Sequence, residues 1–260
     1  WLPVAQRLCQ EDEAGRLTPC FLASVLRGQV HNALLEFKGE TRPVIGRGGD
    51  DDILQALPDD LPHQAVLHRT VMGVITTALQ ASEQGQKIYW VGGIEAYNLR
   101  HLGHVFWLSK NRKEHIQDEA FTRQYEHFAD YVEQAKATGD AEMRRSLMLL
   151  KVYNDIPQRL AALEQQTVKE EAEASITVTT VHRAKGLEWD NVALFYDFPD
   201  IFELEETPDQ QDDELNLLYV GVTRAIKRLA LNASVESILR HIIDRRRQKN
   251  DQSDSPVFSN

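Results

Sequence analysis

The sequence predicts an α/β chain with a parallel sheet and an all-helical insertion. Before residue 93, and again after residue 171, short apolar or β-branched runs alternate with helical periodicity, as strands alternate with helices in α/β proteins. Residues 94–170 show helical periodicity alone. Residues 191–196 form a run that is apolar on both faces, which is typical of the central strands of parallel sheets.

The composition excludes several classes of protein. The 260 residues are 42% hydrophobic and 27% charged, which excludes collagen-like and wholly disordered chains. The net charge of −11 argues against a polyanion binder held by bulk charge, but a local groove on an acidic protein can still contact nucleic acid. No stretch reaches the roughly 18 apolar residues of a membrane span. The two cysteines suit a reducing compartment, so we expect a cytoplasmic location and no membrane partner.

The first elements follow from local patterns. Residues 1–45 show uneven helical periodicity and are expected to form a helical N-terminal segment without chemical motifs. Three glycines and an acidic run at residues 46–52 then indicate an exposed loop.

Residues 46–93 are predicted to be the first part of the sheet domain. Residues 65–70 indicate a short buried strand, and residues 71–84 indicate a helix with one apolar stripe. A β-branched and aromatic strand follows over residues 87–91 and stops at two glycines.

The insertion, residues 94–170, is predicted from apolar residues that recur at three- and four-residue steps. The first stripe indicates one long helix over residues 121–135, and two further stripes follow it. The stripe residues are Phe121, Tyr125, Phe128, Val132, Ala135, Met143, Leu147, Leu150, Ile156, Leu160 and Leu163.

The second part of the sheet domain is expected over residues 171–240, where strands at 176–182 and 228–232 flank a helix that ends near Arg224. Residues 241–260 contain a basic cluster and a Ser/Asp stretch, and they are predicted to form a disordered tail.

Residues 180–190 carry the densest set of groups able to bind a nucleotide or nucleic acid. Hydroxyl, imidazole, glycine and carboxylate groups follow a predicted parallel strand, whose carboxyl end is where open α/β sheets bind ligands. Hydroxyls, imidazoles and backbone N–H groups can donate to phosphate, and a carboxylate can accept from a ribose hydroxyl. A polar connection between strands explains any one of these residues better than a site does. The whole set within eleven positions favours a site.

Arg224 is a second candidate, at the end of a predicted amphipathic helix. Such an arginine is usually a solvated charge or a cap for the last carbonyls of the helix. The small residues Gly221, Thr223 and Ala225 would let a nucleotide approach closely, which strengthens the case for a phosphate contact. Histidines at positions 101, 104 and 115 have no partners to complete a metal set, so no metal site is predicted.

The two stretches together resemble the last two sequence motifs of the UvrD/Rep-type superfamily 1 DNA helicases. The family pattern T-x-H-x-x-K-G-L-E-[FW] is present at residues 180–189, and the second pattern ends in LLYVGVTRA at residues 217–225. Residues 89–93 and the short insertion are most similar to the F-box DNA helicase branch. The resemblance implies a RecA-like second motor domain with the P-loop NTPase fold.

The resemblance also implies roles for single residues. Those that correspond to contacts with single-stranded DNA are Thr180, His182 and Arg69. Those that correspond to contacts with the nucleotide are Gly186, Glu188 and Arg224. Glu188 would hold the ATP ribose, and Arg224 would act catalytically on the γ-phosphate. The implied cofactors are ATP and Mg²⁺, and the implied partners are single-stranded DNA, ATP and an N-terminal motor domain.

The sequence departs from the family in the parts that hold the phosphates. No G-x-x-x-x-G-K-[ST] occurs in the 260 residues, so ATP and Mg²⁺ are expected to be held mainly by the N-terminal motor domain. Residues 19–28 do not match the arginine-bearing segment that precedes the second motor domain in the family, and Val71 stands where the family usually has Asn.

The chain, which does not begin with Met, is therefore expected to be the C-terminal portion of an ATP-dependent DNA helicase and inactive by itself. The complete enzyme would translocate on single-stranded DNA and unwind duplexes in repair or recombination. The alternative is a non-catalytic, helicase-derived module that binds single-stranded DNA or a partner protein without turnover.

Overall fold

The computed structural model divides into two compact units, each with parallel strands and helices. The central unit is Pro62–Arg183, and the terminal unit combines Trp1–Leu61 with Ala184–Asn260. The residues that the structure describes are 9–11, 17–19, 25–40, 42, 52–203 and 208–253. Among these residues, every strand pair except one short antiparallel ribbon in the terminal unit is parallel, which confirms the α/β class.

The terminal unit begins with short strands and one helix. Strands β1 (Cys9–Glu11) and β2 (Leu17–Pro19) pair antiparallel, and helix α1 (Val25–Phe37) and strand β3 (Asp52–Leu54) follow. The segment 1–45 was expected to be helical, and the antiparallel ribbon before α1 corrects that expectation. Strands of three residues are too short to show a period of two in the sequence.

The central unit contains three adjacent parallel strands. Strand β4 (Gln64–His68), helix α2 (Val71–Glu83) and strand β5 (Ile88–Trp90) follow one another along the chain. Strand β6 (Ile176–Thr180) lies between β4 and β5, and Val178 is opposite a residue of each neighbour. All five residues of β6 are buried, as expected for the middle strand of a parallel sheet.

The segment between β5 and β6 is helical, as the sequence predicts. Its α-helices are α3 (Leu99–Ser109), α4 (Glu119–Gln124), α5 (Phe128–Thr138), α6 (Ala141–Val152) and α7 (Ile156–Gln166). Single 3-10 turns lie at Ile94–Tyr97, Lys113–His115 and Glu171–Glu173.

The prediction of one long helix over residues 121–135 is wrong, because the chain breaks at residues 125–127. The Asp130 carboxylate accepts a hydrogen bond from the backbone N–H of His127 (2.7 Å), and this local bond begins a new helix. Residues on both sides of the break still share one apolar cluster. Its buried members are Val105, Leu108, Ile116, Phe121, Tyr125 and Tyr131.

The rest of the terminal unit contains further parallel strands and helices. Strand β7 (Trp189–Leu194), helix α8 (Pro208–Val222), strand β8 (Ala225–Ala230) and helix α9 (Ala233–Ser253) follow in order. Strand β8 lies between β3 and β7, with Leu229 opposite a residue of each.

Helix α9 corrects the prediction of a disordered tail over residues 241–260. The helix continues to residue 253, and residues 254–260 lie outside the described part of the chain. Val235, Ile238 and Ile242 are at most 1% exposed, so an apolar stripe holds the first turns of the helix. Among the described residues, none of the helices combines the length and apolar character needed to span a membrane.

Glu142 connects the helical insertion to helix α2. Its carboxylate accepts hydrogen bonds from the backbone N–H groups of Val71 (2.5 Å) and Met72 (2.6 Å), at the start of α2. The Thr70 hydroxyl accepts from the N–H of Gly73 (2.9 Å). Because the first N–H groups of a helix have no partner within it, the carboxylate supplies acceptors where the helix dipole also favours negative charge.

We therefore expect Glu142→Ala to destabilise the protein. Losing charge-assisted bonds to two backbone N–H groups should lower the free energy of unfolding by about 1–3 kcal/mol, as measured by urea denaturation. Glu142→Gln should lose less, since its amide oxygen can still accept. Glu133→Ala removes an exposed glutamate on α5 and serves as the matched control. Equal stabilities of the Glu142→Ala and Glu133→Ala proteins would contradict this assignment.

Candidate functional site

Residues 180–187 form two consecutive tight turns after β6. The backbone N–H of Arg183 donates to the Thr180 carbonyl oxygen (3.0 Å), and that of Leu187 donates to the Ala184 carbonyl oxygen (3.0 Å). Gly186 has φ of +84°, the left-handed conformation that the third position of a type II turn requires. Its added Cβ would meet nothing within 4 Å, so the backbone conformation and not lack of space calls for glycine.

The central unit brings the three predicted DNA-contacting residues to one sheet edge. Strands β4 and β6 are adjacent and parallel, with His68 opposite Thr180, and the backbone N–H of Val181 donates to the His68 carbonyl oxygen (2.9 Å). Arg69 follows β4 and is half-buried, while Thr180 ends β6 and is buried. His182 is exposed beyond the strand end.

Buried His68 holds these strand ends together. Its Nδ1 donates to the Thr179 carbonyl oxygen (3.0 Å) on β6, and its Nε2 lies 2.7 Å from Thr77 Oγ1 on α2. The imidazole therefore bonds to both β6 and α2, and it stabilises the edge that carries Arg69 and Thr180.

The predicted nucleotide-contacting residues lie together in the terminal unit. Glu188 and Arg224 immediately precede the adjacent parallel strands β7 and β8, where the N–H of Trp189 donates to the Arg224 carbonyl oxygen (2.9 Å). Gly186 lies in the turn that leads to Glu188. These three residues are therefore at the amino ends of strands, whereas Gly186 and Glu188 were expected at the carboxyl end of the strand that precedes them. The general rule is that ligands of open α/β sheets bind at the carboxyl ends of strands, and it does not apply to residues that precede a strand.

The guanidinium of Arg224 is enclosed by its own unit. Its Nε donates to the Val220 carbonyl oxygen (3.0 Å), Nη1 to the Leu187 carbonyl oxygen (3.1 Å) and Nη2 to Thr223 Oγ1 (2.8 Å). The residue is 9% exposed. Arg224 thus caps the last carbonyls of α8, as the sequence allows, and also fastens the Gly186 turn to that helix.

Burial lowers the pKa of the Arg224 guanidinium, and the charges of Glu188 and Tyr219 oppose this shift. An arginine keeps its proton in proteins even after such a shift. The pair of Glu188 and Arg224 therefore presents a carboxylate and a guanidinium side by side at the start of two strands.

Two of the histidines considered as metal ligands line a polar cavity in the insertion. The cavity has a volume of about 400 Å³ and is lined by Asn98, Arg100, His101, His104, Gln117 and Asp118. Burial lowers the pKa of both imidazoles, which are half-buried. His115 is exposed and stacks on Trp107. Within the described ranges, no group of three or more His, Cys, Asp or Glu residues is arranged to hold a metal ion.

Arg183, whose side chain lies against the first residues of the insertion, was not predicted from the sequence. Neither was the carbonyl of Leu187 as a partner of Arg224. The glycine pair at positions 92 and 93 was the available signal for Arg183, because one of these glycines faces its guanidinium.

These features define an α/β protein with a carboxylate and a guanidinium at the amino ends of two strands and polar groups at the carboxyl ends of two others. Residues 73–236, more than half of the chain, match the UvrD-like helicase C-terminal domain family. The chain therefore belongs to the UvrD-like helicase C-terminal domain family.

Several curated DNA helicases are similar to the chain. F-box DNA helicase 1 of Gallus gallus is 28% identical over 179 residues, which cover 62% of this chain and 18% of that protein. F-box DNA helicase protein 1 of Schizosaccharomyces pombe is 39% identical over 75 residues, or 27% of this chain and 8% of the relative. ATP-dependent DNA helicase PcrA of Leuconostoc citreum is 38% identical over 73 residues, again 27% of this chain, and 10% of the relative. The matches thus span less than a fifth of these relatives.

Proposed function

We propose that this chain is the C-terminal motor domain of an ATP-dependent DNA helicase. The whole protein would translocate on single-stranded DNA and unwind duplexes in repair or recombination. The observation that carries the proposal is the pair of Glu188 and Arg224 at the starts of β7 and β8, inside the stretch that matches the helicase family. A cytoplasmic location is part of the same proposal.

The nucleotide side of the proposal uses Gly186, Glu188 and Arg224, whose chemistry fits ATP. Glu188 can accept hydrogen bonds from ribose hydroxyls, and its turn is shaped by Gly186. Arg224 donates three of its five N–H groups to described residues, and its guanidinium keeps its positive charge. ATP supplies the phosphoryl group whose transfer drives the motor, and Arg224 would stabilise the charge that develops on it.

The phosphate cradle and the Mg²⁺ site are proposed to come from an N-terminal motor domain. The 260 residues contain no phosphate-loop motif, whose backbone N–H groups and lysine bind the β- and γ-phosphates. In this proposal the chain supplies Arg224 and Glu188 to a nucleotide that the other domain holds.

We expect the 260-residue chain alone to hydrolyse no ATP above background, with or without single-stranded DNA, because no segment replaces the phosphate loop. A coupled ATPase assay measures this directly, and Arg224→Ala is the control variant. DNA-stimulated turnover that disappears in Arg224→Ala would contradict the expectation, since it would mean that this chain contains a complete site.

The DNA side of the proposal uses Thr180, His182 and Arg69. A hydroxyl, an imidazole and a guanidinium at one sheet edge can contact phosphates or stack beside bases without reading sequence. The net charge of −11 opposes long-range attraction of DNA, so a few local contacts must supply the affinity.

We therefore expect weak binding that prefers single strands and decreases steeply with added salt. His182→Ala should weaken the binding of a fluorescent oligothymidine by about three- to tenfold in anisotropy titrations, the effect of losing one or two hydrogen bonds. His115→Ala, which removes an exposed histidine from the insertion, should leave the binding unchanged. Tight, duplex-specific binding that persists in high salt would contradict the proposal.

The alternative function is a non-catalytic module that binds single-stranded DNA or a partner protein. One observation favours it: Arg224 is 9% exposed, and its guanidinium is bonded to its own helix and turn, as in a purely structural arginine. The two functions differ in whether Arg224 affects turnover once a phosphate-loop domain is present.

A further inference from the structure

Arg183 extends from the turn after β6 to the first residues of the helical insertion. Its Nη2 donates to the Ala96 carbonyl oxygen (3.2 Å), and its Cζ lies 5.3 Å from the centre of the Tyr97 ring. At the other end of the residue, its backbone N–H closes the turn on the Thr180 carbonyl oxygen (3.0 Å). Arg183 therefore connects the strand end that carries His182 to the segment 92–97.

Gly92 leaves space for the Arg183 guanidinium, which lies close to its backbone. A Cβ at Gly92 would lie 3.2 Å from Nη1 of Arg183, and the residue has φ of +85°. A contact of that length is tight, so a Cβ at this position would move the guanidinium by a few tenths of an ångström.

Tyr97 provides a fixed surface beneath the guanidinium. The ring is fully buried, and its hydroxyl donates to the Val91 carbonyl oxygen (2.8 Å) and lies 3.4 Å from Thr179 Oγ1. Burial raises the pKa of the Tyr97 phenol, which stays neutral and presents an aromatic face to the cation. Arg183 is thus held by groups that are themselves attached to β5 and β6.

We propose that Arg183 is a positioning residue that fixes the turn at residues 180–183 and, through it, the place where His182 meets single-stranded DNA. This inference rests on the proposed DNA contact of His182. The turn has buried Thr180 on one side of His182 and Arg183 on the other, so the backbone of the exposed histidine is held at both ends. A shift of the segment 92–97 would move this contact, and the insertion would thereby influence the grip on DNA.

A direct phosphate contact is the rival role for Arg183, because the residue is exposed and positively charged. The two roles predict different salt dependence. Removing one phosphate contact lowers the slope of log K against log salt by about 0.7 for single strands, whereas a positioning residue changes the affinity at constant slope.

Gly92→Ala tests the positioning role because it displaces the guanidinium and leaves every charge in place. It should weaken the binding of oligothymidine by about three- to tenfold with an unchanged salt slope. Gly85→Ala is the matched control, since Gly85 also has positive φ (+71°) in the same unit but nothing within 4 Å of its added Cβ. The control should stay within about twofold of the parent, the change expected when no contact is lost.

Arg183→Ala should weaken binding as much as Gly92→Ala, also at constant slope, and Arg183→Lys should not restore it, because lysine lacks the planar fork. In the Arg183→Ala background, adding Gly92→Ala should cost no more than adding Gly85→Ala. The positioning role would be overturned if Arg183→Lys kept the affinity of the parent for oligothymidine. It would also be overturned if Arg183→Ala lowered the slope of log K against log salt while Gly92→Ala left the affinity unchanged.

His182→Ala separates this inference from the proposed function. If His182→Ala leaves binding unchanged, the DNA contact itself is wrong, and the positioning role is wrong with it. If His182→Ala weakens binding but neither Gly92→Ala nor Arg183→Ala does so, only the positioning role is wrong. Thermal unfolding of each variant verifies that the binding is measured on folded protein.

Discussion

The hydrogen bonds of the Arg224 guanidinium hold together the parts of the terminal unit on which its proposed chemistry depends. They link the last turn of α8, through Val220, to the turn that carries Gly186, through Leu187. A buried charge is stable only when its donors are paired, so this arrangement strongly favours one geometry of helix end, turn and strand start. Glu188 lies in that geometry as the neighbouring negative charge. The same contacts that make Arg224 structural therefore also fix its guanidinium beside the turn that leads to Glu188.

In the central unit, a helical insertion separates the neighbouring strands β5 and β6 in the sequence. Two charged side chains attach the insertion at sites next to the strand ends. Glu142 binds the first N–H groups of α2, just after Arg69 and Thr70, and Arg183 binds the segment 92–97, just after His182. Both attachments use charged groups on backbone acceptors or donors, which are stronger than neutral hydrogen bonds. The residues proposed to contact DNA are thus next to two of the points where the insertion is attached.

Local patterns predicted strands β4 to β8 and the helical character of the insertion, because each depends on neighbours in the sequence. The apolar run of β7 is an example. The site residues came from the resemblance to a helicase family, and their roles stay predictions. The features that were not predicted correctly depended on longer-range or competing interactions. The bond from Arg224 to Leu187 joins residues 37 positions apart, and the Asp130 bond to His127 outweighed the periodicity that indicated one long helix. No sequence period marks either of these interactions.

ATP turnover and nucleotide affinity, measured together in a protein that joins this chain to a phosphate-loop motor domain, test the central claim most directly. The account predicts that Arg224→Ala lowers turnover by about 10³-fold or more, as for other arginines that reach a transferred phosphoryl group, while nucleotide affinity changes much less. Glu188→Ala should mainly weaken nucleotide binding, because a ribose contact is shared by the ground and transition states. Arg224→Lys keeps the charge at the end of α8 and controls for loss of structure. Turnover of Arg224→Ala within a few-fold of the parent would contradict the account and favour the non-catalytic module.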